Sequence, residues 1–312
     1  MTEIQGFVHQ VGGHSTAKTS LKALNGRILK PFQNKQRGER ERDFYERVFV
    51  SEKESTEFAA LMRFLPTYYG TIVAPQAEDK EEEMTFVNGE CLVLEDLTWG
   101  RQWPCIMDVK MGTRSYEEDA SAEKIAFEKS KFPLQETVGL RIQGIKVFDP
   151  QRQSYVEFDK VFGRAITSVD ELALAFRRYF PVQDTIKTIK LLEAFLRRLD
   201  QLKTWFDDQQ GTMFIASSFL FLYDGVESVE EAKLTSEAYK ADIRLIDFAH
   251  VTHPSLPKHD EGKGSFCVAL YDNNESVLPR ALSPGSLQLS VIGTYLQAKL
   301  ESRRSGATRD TK

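Results

Sequence analysis

The chain has 312 residues, of which 41% are apolar and 28% charged, and its formal net charge at pH 7 is −5. This composition is ordinary for a globular protein of one large domain or two lobes, and the acidic balance argues against bulk binding of nucleic acid. No stretch approaches the roughly 20 apolar residues of a membrane span, and the polar residues 1–6 lack a signal-peptide core. Because the three cysteines form no CxxC pair and suit a reducing compartment, we expect a cytoplasmic or nuclear protein.

The first hundred residues predict a strand-rich region around one helical stretch. Short apolar or β-branched runs predict strands at 6–10, 26–30 and 85–94. Gly12-Gly13 predicts a flexible turn after the first strand. Apolar residues recur at helical intervals from residue 40 to about 65, and Pro66 ends that stretch. The acidic run at 76–83 predicts a solvated loop.

The second half predicts more helix, with strands between the helices. Helical patterns occupy 120–131 and about 183–206, and the apolar stripe of the second is expected to be core. Ser168 with Glu171 forms a capping-box pattern at the start of another helix. Strands are predicted at 141–148, 213–223 and 243–248. The last two strands are expected to pair as a hairpin, and the polar residues 301–312 to form a disordered tail.

Residues 104–112, Pro-Cys-Ile-Met-Asp-Val-Lys-Met-Gly, carry the strongest chemical signal in the chain. Alternate side chains of an extended segment point to the same face, so Asp108 and Lys110 are expected to share one side. Phosphoryl transfer needs such a pair, because a carboxylate can orient or deprotonate a hydroxyl while an ammonium neutralises phosphate charge. The spacing alone favours an ordinary surface ion pair at a strand end, so the functional interpretation needs further support.

A second signal is the segment 244–250, Arg-Leu-Ile-Asp-Phe-Ala-His. Asp247 leaves an apolar strand, and Mg²⁺ in phosphate-binding sites takes one or two carboxylates together with phosphate oxygens and water. The alternatives are an aspartate that caps a turn and, for His250, a structural or surface histidine. The segment is therefore a candidate metal site only in combination with other motifs.

Eight short motifs occur in one order along the chain, and the combination is far more specific than any one of them. They are His-Gln-Val-Gly-Gly-His at 9–14, Ile-Leu-Lys-Pro at 28–31, Arg-Gly at 37–38 with Glu41, Leu-Pro-Thr-Tyr-Tyr-Gly at 65–70, Leu-Glu-Asp at 94–96, the 104–112 segment, Ala-Ser-Ser at 216–218 and Ile-Asp-Phe-Ala-His at 246–250. This series resembles the inositol polyphosphate kinase family, whose signature is P-x-x-x-D-x-K-x-G. The resemblance covers roughly residues 7–300.

The resemblance implies an α+β, two-lobed, protein-kinase-like fold, related to the ATP-grasp type, with ATP in the cleft. Residues 1–98 would form a strand-rich N-lobe with one main helical region. Residues 99–300 would form a C-lobe with the catalytic motif and the metal site. Within it, about 113–134 would be a helical segment that binds the inositol phosphate. ATP and Mg²⁺ are the implied cofactors.

For the nucleotide, the resemblance assigns Lys30 to the ATP phosphates, with Glu41 or the nearby Asp43 as its partner on a helix. The hinge, where backbone groups would pair with adenine, comprises Glu95, Asp96 and Leu97. This role tolerates changes of side chain, because it depends on backbone groups.

The resemblance places the chemical step between two segments. Asp247 would hold Mg²⁺ on the phosphates, with help from Ser217-Ser218. Lys110 would contact the reacting hydroxyl and the transferred phosphate. Asp108 has two possible roles, as a catalytic group and as a contact to the nucleotide ribose, and both stay open.

A multiply phosphorylated inositol is a small, dense polyanion, so its pocket needs several cationic side chains from different segments. The resemblance assigns Lys124 and Lys131 to the inositol-phosphate-binding helix and His250 to a substrate contact. Without the resemblance, the two lysines would be read as a solvated helix face.

The motifs divide between two branches of the family. The multikinase branch is matched by Arg37-Gly38 with Phe44-Tyr45, 94–98 and 130–134, and the hexakisphosphate kinase branch by 7–15, 108–114 and 119–124. We expect a multikinase that converts inositol trisphosphate to tetrakis- and pentakisphosphate. A hexakisphosphate kinase that makes pyrophosphates and a non-catalytic inositol-phosphate-binding scaffold are the alternatives. Soluble inositol polyphosphates are the expected partners, with a phosphoinositide headgroup and the oligomeric state left open.

Overall fold

Two five-stranded antiparallel sheets organise the part of the chain that the computed structural model describes, residues 4–12, 20–73, 89–181, 183–209, 211–226 and 239–253. The predicted loop at 76–83 and the predicted tail at 301–312 lie outside the described residues. The combination of sheets and helices is the α+β architecture expected from the sequence. Within the described residues, no helix has the length and apolar character needed to cross a membrane.

The first sheet has the strand order β1-β2-β3-β5-β4. Its strands are β1 (Gln5–Gly6), β2 (Lys22–Leu24), β3 (Arg27–Pro31), β4 (Tyr68–Val73) and β5 (Glu90–Glu95). Asn25 and Gly26, with φ of 48° and 73°, make the two-residue turn between β2 and β3. The strand predicted at 6–10 is wrong beyond Gly6, because the chain turns at Val8, whose carbonyl accepts a hydrogen bond from Lys146.

Helices α1 (Lys35–Glu46) and α2 (Thr56–Met62) follow β3, and a π-helical turn (Arg47–Ser51) extends the first of them. The Asn34 side chain caps α1 by accepting a hydrogen bond from the Arg37 amide at 2.8 Å. The single helical stretch predicted from 40 to 65 is therefore divided, because the chain turns at 52–55 before α2 begins.

The second sheet has the order β11-β10-β6-β7-β8, with β6 at its centre. Its strands are β6 (Pro104–Met111), β7 (Leu140–Asp149), β8 (Ser154–Phe158), β10 (Ser218–Asp224) and β11 (Asp242–Ile246). β10 and β11 pair as the predicted hairpin. The strand predicted at 213–223 is interrupted at Ala216, which has a φ of 56°, so β9 (Met213–Phe214) instead pairs with β12 (Val251–Thr252).

Among the described residues, five helices occur between β6 and β9 in the chain. They are α3 (Ala122–Ser130), α4 (Gln135–Val138), α5 (Lys160–Arg164), α6 (Val169–Tyr179) and α7 (Thr185–Asp208). The helices predicted at 120–131 and 183–206 are confirmed as α3 and α7, and Ser168 caps α6 by accepting a hydrogen bond from the Glu171 amide at 3.2 Å. Most of the α7 stripe is buried, although Ile186 at its start is 70% exposed.

The central strand β6 separates an apolar face from a polar one. Cys105, Met107 and Val109 point into the main core, which also contains residues of α1, α6 and α7. Asp108 and Lys110 lie on the opposite face, as the alternation predicted. Because Asp108 is only 6% exposed and its strand is central, the interpretation as a surface ion pair at a strand end is wrong.

Direct contacts join the two halves of the molecule. The Leu245 amide donates a hydrogen bond to the Phe64 carbonyl at 2.7 Å, and the Trp205 indole N–H donates to the Glu57 carbonyl at 2.8 Å. One cluster of buried apolar residues includes side chains from both halves. The lobe boundary proposed at 98–99 falls between the two sheets and stays a prediction.

Candidate active site

Lys30 on β3 is the residue at which three elements meet. Its Nζ lies 2.8 Å from Glu41 Oε1 on α1 and 2.6 Å from Asp247 Oδ1, directly after β11. Burial would lower the pKa of Lys30, but the two carboxylates outweigh burial and raise the pKa above its usual value. Asp43, the alternative partner, instead accepts hydrogen bonds from Arg42 at 2.8 and 3.0 Å. The structure therefore brings Glu41, and not Asp43, to Lys30.

Asp247 is held in a backbone conformation that few residues other than glycine adopt. Its φ is 67°, in the left-handed region. The next residue is fixed as well, because the Phe248 amide donates a hydrogen bond to Glu41 Oε1 at 3.1 Å and the Phe248 ring packs 4.5 Å from that of Phe44. Although burial opposes ionisation, Lys30 lowers the pKa of Asp247 below its usual value. A strained, ionised aspartate at a meeting point of elements is typical of functional sites.

Asp108 and Lys110 share a face of β6, and each is incompletely satisfied. The Lys110 ammonium donates a hydrogen bond to the Ala216 carbonyl at 2.9 Å, whereas Asp108 Oδ1 is enclosed and has no hydrogen-bond partner within the described residues. Burial and then the charge of Asp247 raise the pKa of Asp108 to about 7, and burial lowers the pKa of Lys110. Buried polar groups with free bonding capacity and shifted pKa values mark a ligand site.

Ser218 on β10 lies between Lys110 and the residue before Asp247 in the sheet. Ser218 is opposite Lys110 on one side and opposite Ile246 on the other. The hydroxyls of Ser217 and Ser218 are buried, and neither has a hydrogen-bond partner within the described part of the chain. The described residues include no group of three or more His, Cys, Asp or Glu side chains that could hold a metal. A cation here would need phosphate oxygens and water beside Asp247, which is the coordination that Mg²⁺ prefers.

Glu117, in the loop after the 104–112 segment, contacts basic side chains from other elements. Its Oε1 lies 2.8 Å from His250 Nδ1 and 2.7 Å from Arg40 Nη1 on α1. The hydrogen bond from His250, together with the charges of His250, Arg40 and Lys124, lowers the pKa of Glu117 to about 2. His250 and Lys124, two predicted substrate ligands, therefore lie on the same side of the site.

Lys131 lies in its predicted segment but is already paired. Its Nζ is 2.6 Å from Glu128 Oε1 and 4.3 Å from the centre of the Phe127 ring. The charge of Glu128 also acts on Lys110, which places the end of α3 near β6. Lys124, at the start of α3, is exposed. The two predicted lysine ligands are thus at opposite ends of one helix that borders the site.

The two carboxylates of the predicted hinge accept hydrogen bonds from nearby threonines. Glu95 Oε2 accepts hydrogen bonds from the amide and hydroxyl of Thr67, both at 3.0 Å, and Asp96 Oδ1 accepts them from the amide and hydroxyl of Thr98 at 2.8 and 2.6 Å. Leu97 belongs to an apolar cluster with Ile106, Leu222, Val11, Leu220 and Ile246. The backbone is partly engaged as well, because the Glu95 and Asp96 amides donate hydrogen bonds to the Thr67 and Gly26 carbonyls at 2.9 and 3.0 Å. The hinge role of this segment stays a prediction.

Comparison with known proteins identifies the family of this chain. Residues 91–266, more than half of the chain, match the family described as "Inositol polyphosphate kinase". The chain belongs to the inositol polyphosphate kinase family. It is 33% identical over 229 residues to human inositol polyphosphate multikinase, covering 72% of this chain and 52% of that protein. Inositol polyphosphate multikinase alpha of Arabidopsis thaliana is 32% identical over 260 residues, covering 78% and 85%.

Two further comparisons concern a second branch and the fold. Inositol hexakisphosphate kinase 3 of the mouse is 35% identical over 169 residues, covering 52% of this chain and 42% of that protein. The chain spans about half the length of the mammalian multikinases that it matches. The inositol phosphate multikinase Ipk2 of S. cerevisiae, solved in complex with ADP and Mn²⁺, superposes with a TM-score of 0.59 at 22% identity, covering 88% of this chain and 100% of that chain. The predicted two-lobed, kinase-like fold is confirmed.

Three residues of this candidate site were not predicted as site residues from the sequence. Glu117 contacts His250, 133 residues away, and Arg40, 77 residues away, and no local pattern carries such contacts. Gly12 belongs to the predicted turn, and a Cβ there would lie 2.1 Å from Asp108 Oδ2. Only the glycine spacing of the 9–14 motif hinted at this close approach, and residues 13–14 lie outside the described residues.

Proposed function

We propose that this chain is an ATP-dependent inositol polyphosphate multikinase, which phosphorylates hydroxyls of inositol trisphosphate and tetrakisphosphate to give tetrakis- and pentakisphosphate. The observation that carries the proposal is the contact of Lys30 with Asp247, next to the Asp108 and Lys110 face of β6. One site would then contain an ammonium for the phosphates (Lys30), a carboxylate for the metal (Asp247) and the Asp108–Lys110 pair. Membership of the family and the multikinase names of the relatives support it.

The nucleotide would lie along the apolar cluster at Leu97, with its phosphates at Lys30. ADP and Mn²⁺ in the yeast relative support a nucleotide and a divalent cation, and we propose ATP and Mg²⁺ for this chain. Asp247 would hold the ion with the phosphates, and the Ser218 hydroxyl would assist through water. The bound ion would neutralise charge on the phosphates during transfer.

In the proposed reaction, an inositol hydroxyl oxygen attacks the γ-phosphorus of ATP. The bond from that phosphorus to the bridging oxygen breaks, and ADP leaves with the electron pair. The hydroxyl proton passes to the Asp108 carboxylate if Asp108 acts as the base, and to solvent if Asp108 holds the ribose. Lys110 would neutralise the charge on the transferred phosphoryl group.

The acceptor would bind on the side of α3 and His250. Lys124 and Lys131 lie on this helix or at its end, and His250 is fixed by Glu117. Several cations from separate segments suit a polyanion better than a neutral sugar. Lys131 would exchange its contact with Glu128 for a substrate phosphate.

The test is to give the purified protein ATP and Mg²⁺ with inositol trisphosphate, tetrakisphosphate or hexakisphosphate in separate reactions. Products are then separated by anion-exchange chromatography. We expect the trisphosphate and tetrakisphosphate to be consumed with stoichiometric formation of ADP. The matched variant is Asp247→Asn, which still accepts a hydrogen bond from Lys30 but loses the metal-binding charge. It should lose roughly 100-fold or more of the turnover, and circular dichroism at the assay temperature should show that the variant is still folded.

Two outcomes would replace this proposal. A pyrophosphate product from hexakisphosphate alone would move the chain to the hexakisphosphate kinase branch, to which part of the chain is also similar. Tight binding of inositol trisphosphate without ADP formation would instead indicate a non-catalytic scaffold. Mg²⁺-dependent turnover that survives in Asp247→Asn would contradict the role given to Asp247.

A further inference from the structure

Arg141, on β7, is a buried cation that forms no ion pair with any of the described residues. The residue is 3% exposed, and its Nε and Nη1 atoms are enclosed with no hydrogen-bond partner among the described residues. Burial, and then the charge of Arg164, lowers the pKa of Arg141, but a guanidinium stays protonated in proteins. An enclosed charge is costly unless it is paired and hydrogen-bonded. Arg141 therefore supplies the cation of an ion pair whose anion is missing from the described residues.

The position of Arg141 in the sheet indicates where the missing anion lies. Arg141 is directly opposite Lys110 on β6, Lys110 is opposite Ser218 on β10, and Ser218 is opposite Ile246 on β11. Asp247 follows Ile246, so the proposed nucleotide phosphates lie at the β11 edge. Arg141 lies on the other side of Lys110, where the charge of Glu128 on α3, the helix assigned to the acceptor, acts on it. An anion at Arg141 would therefore belong to the acceptor and not to ATP.

The surroundings of Arg141 have an excess of positive charge. The charged groups that act on it are Arg164, Glu128 and Asp108. In the ligand-free structure Glu128 is paired with Lys131 at 2.6 Å, so that, of the groups that act on Arg141, Asp108 alone is left to offset the charges of two guanidinium groups. A phosphate would offset this excess, and its oxygens match the planar donor set of a guanidinium.

We infer that Arg141 binds a phosphate group that the acceptor already carries, next to the hydroxyl that receives the new phosphate. The inference rests on the proposed function, and it adds a specificity-determining contact to it. Selection would favour a ring with a phosphate beside the reacting hydroxyl over a ring without one. The ligand class is a phosphomonoester on a polyol ring.

The test compares Arg141→Met, which keeps the length but removes the charge, with Arg141→Lys, which keeps the charge but loses the planar donor set. Arg152→Met is the matched control, because its side chain is 74% exposed and loses the same charge. Calorimetry without ATP measures the Kd for inositol trisphosphate, and kinetics give the KM values for trisphosphate and ATP. We expect Arg141→Met to raise the Kd and KM for trisphosphate roughly 10- to 100-fold, with less than about a twofold change for ATP.

Thermal unfolding separates a binding role from a structural one. Replacing an unpaired buried cation with an apolar side chain of similar length should leave the melting temperature of the ligand-free protein unchanged or higher. Arg141→Lys should bind with an intermediate Kd, and Arg152→Met like the wild type. An unchanged Kd in Arg141→Met overturns the inference, and a lowered melting temperature with that unchanged Kd shows that Arg141 is structural.

The same data distinguish failure of the inference from failure of the proposed function. If the wild type binds trisphosphate but forms no ADP, the proposed kinase activity is wrong, and the Kd of Arg141→Met still decides the inference. If the wild type turns over trisphosphate and Arg141→Met has the same KM, the kinase proposal stands without this contact. If the wild type does not bind trisphosphate, the assigned ligand is wrong.

Discussion

Burial changes the acid–base properties of Asp108. The same strand position that encloses the side chain leaves Oδ1 without a hydrogen bond in the described residues and raises its pKa from 3.8 to about 7. A carboxyl in this state can exchange a proton near neutral pH. It can equally accept hydrogen bonds from a ribose, since Oδ1 has no partner among the described residues.

Asp108→Asn tests the raised pKa through stability. A raised folded pKa means that the folded state binds the proton more tightly, so stability is present below pH 3.8 and is lost as pH rises to about 7. The free energy of unfolding of the wild type, relative to Asp108→Asn, should therefore fall across this pH range and level off above it. Urea unfolding in metal-free buffer measures the difference. A difference that does not change with pH would show that Asp108 titrates normally.

The kinetics of Asp108→Asn assign its role. A base must be ionised, so in the wild type kcat would rise with pH through an apparent pKa near 7, and the variant would lose this rise with about a 100-fold lower kcat. A ribose contact would instead raise the KM for ATP and leave the pH profile of kcat intact. The two patterns do not overlap, so one pH series distinguishes them.

At the scale of elements, the segment 9–12 crosses the site as a short strap over β6 and β7. Gly12 touches the Asp108 carboxylate, and a Cβ on Gly144 would lie 2.5 Å from the Val11 carbonyl oxygen. The Gln10 side chain ties the strap together by donating to the Gly12 carbonyl and accepting from the Leu21 amide, both at 3.1 Å. Absence of side chains at two crossing points therefore lets the strap lie directly on the sheet.

Gly12→Ala should displace this strap. The added Cβ would lie 2.1 Å from Asp108 Oδ2, and such overpacking costs about 1–3 kcal/mol of unfolding free energy. The KM for ATP should rise as well, because the strap borders the apolar cluster at Leu97 through Val11. Gly6→Ala is the matched control, since its Cβ would meet no atom within 4 Å. Equal stability of the two variants in urea would show that the strap is not seated on Asp108.

Glu117 joins α1 to the segment after β11 through Arg40 and His250. Its lowered pKa of about 2, against 4.5 for an ordinary glutamate, means that its stabilising effect is present above pH 4.5 and is lost as pH falls towards 2. The stability difference between the wild type and Glu117→Gln should therefore shrink in acid. At neutral pH the variant should also raise the KM for the inositol phosphate more than the KM for ATP.

Glu118→Gln is the control for this experiment. Glu118 is the adjacent carboxylate, and its contact with Arg114 is longer, at 3.5 Å. Urea unfolding between acidic and neutral pH should show little change for this variant. If Glu117→Gln and Glu118→Gln behaved alike, the Glu117 cluster would contribute nothing specific.

The features that could be predicted from the sequence are those that depend on local periodicity or on an ordered set of motifs. The shared face of Asp108 and Lys110 followed from alternation, and the family resemblance pointed to the Lys30 and Asp247 segments. Spacing could not choose between Glu41 and Asp43, because the choice depends on how α1 is rotated against β3. Glu117 and Arg141 were missed because their burial and contacts depend on which distant elements pack around them.

At the scale of the whole molecule, one core connects the two sheets. Phe44 of α1 is 1% exposed and contacts the rings of Phe248 and Phe214 from the other half. The ion pair of Lys30 with Asp247 and the bond from Leu245 to Phe64 cross between the same halves. In the proposed kinase, the nucleotide site would therefore be stabilised by contacts from both halves. Neither lobe should then unfold without loss of the other.

Labelling of two buried thiols can test whether the two halves unfold together. Cys91 lies on β5 of the first sheet and Cys105 on β6 of the second, and both are free and fully buried. In a Cys267→Ser background, labelling of each thiol in urea, located by mass spectrometry, reports the opening of its own sheet. The two free energies of opening should agree. Phe44→Ala should lower both by the same amount, about 3–5 kcal/mol, because the lost packing belongs to the shared core. If only Cys91 became easier to label, the lobes would unfold independently, and the core between them would be weaker than its continuity indicates.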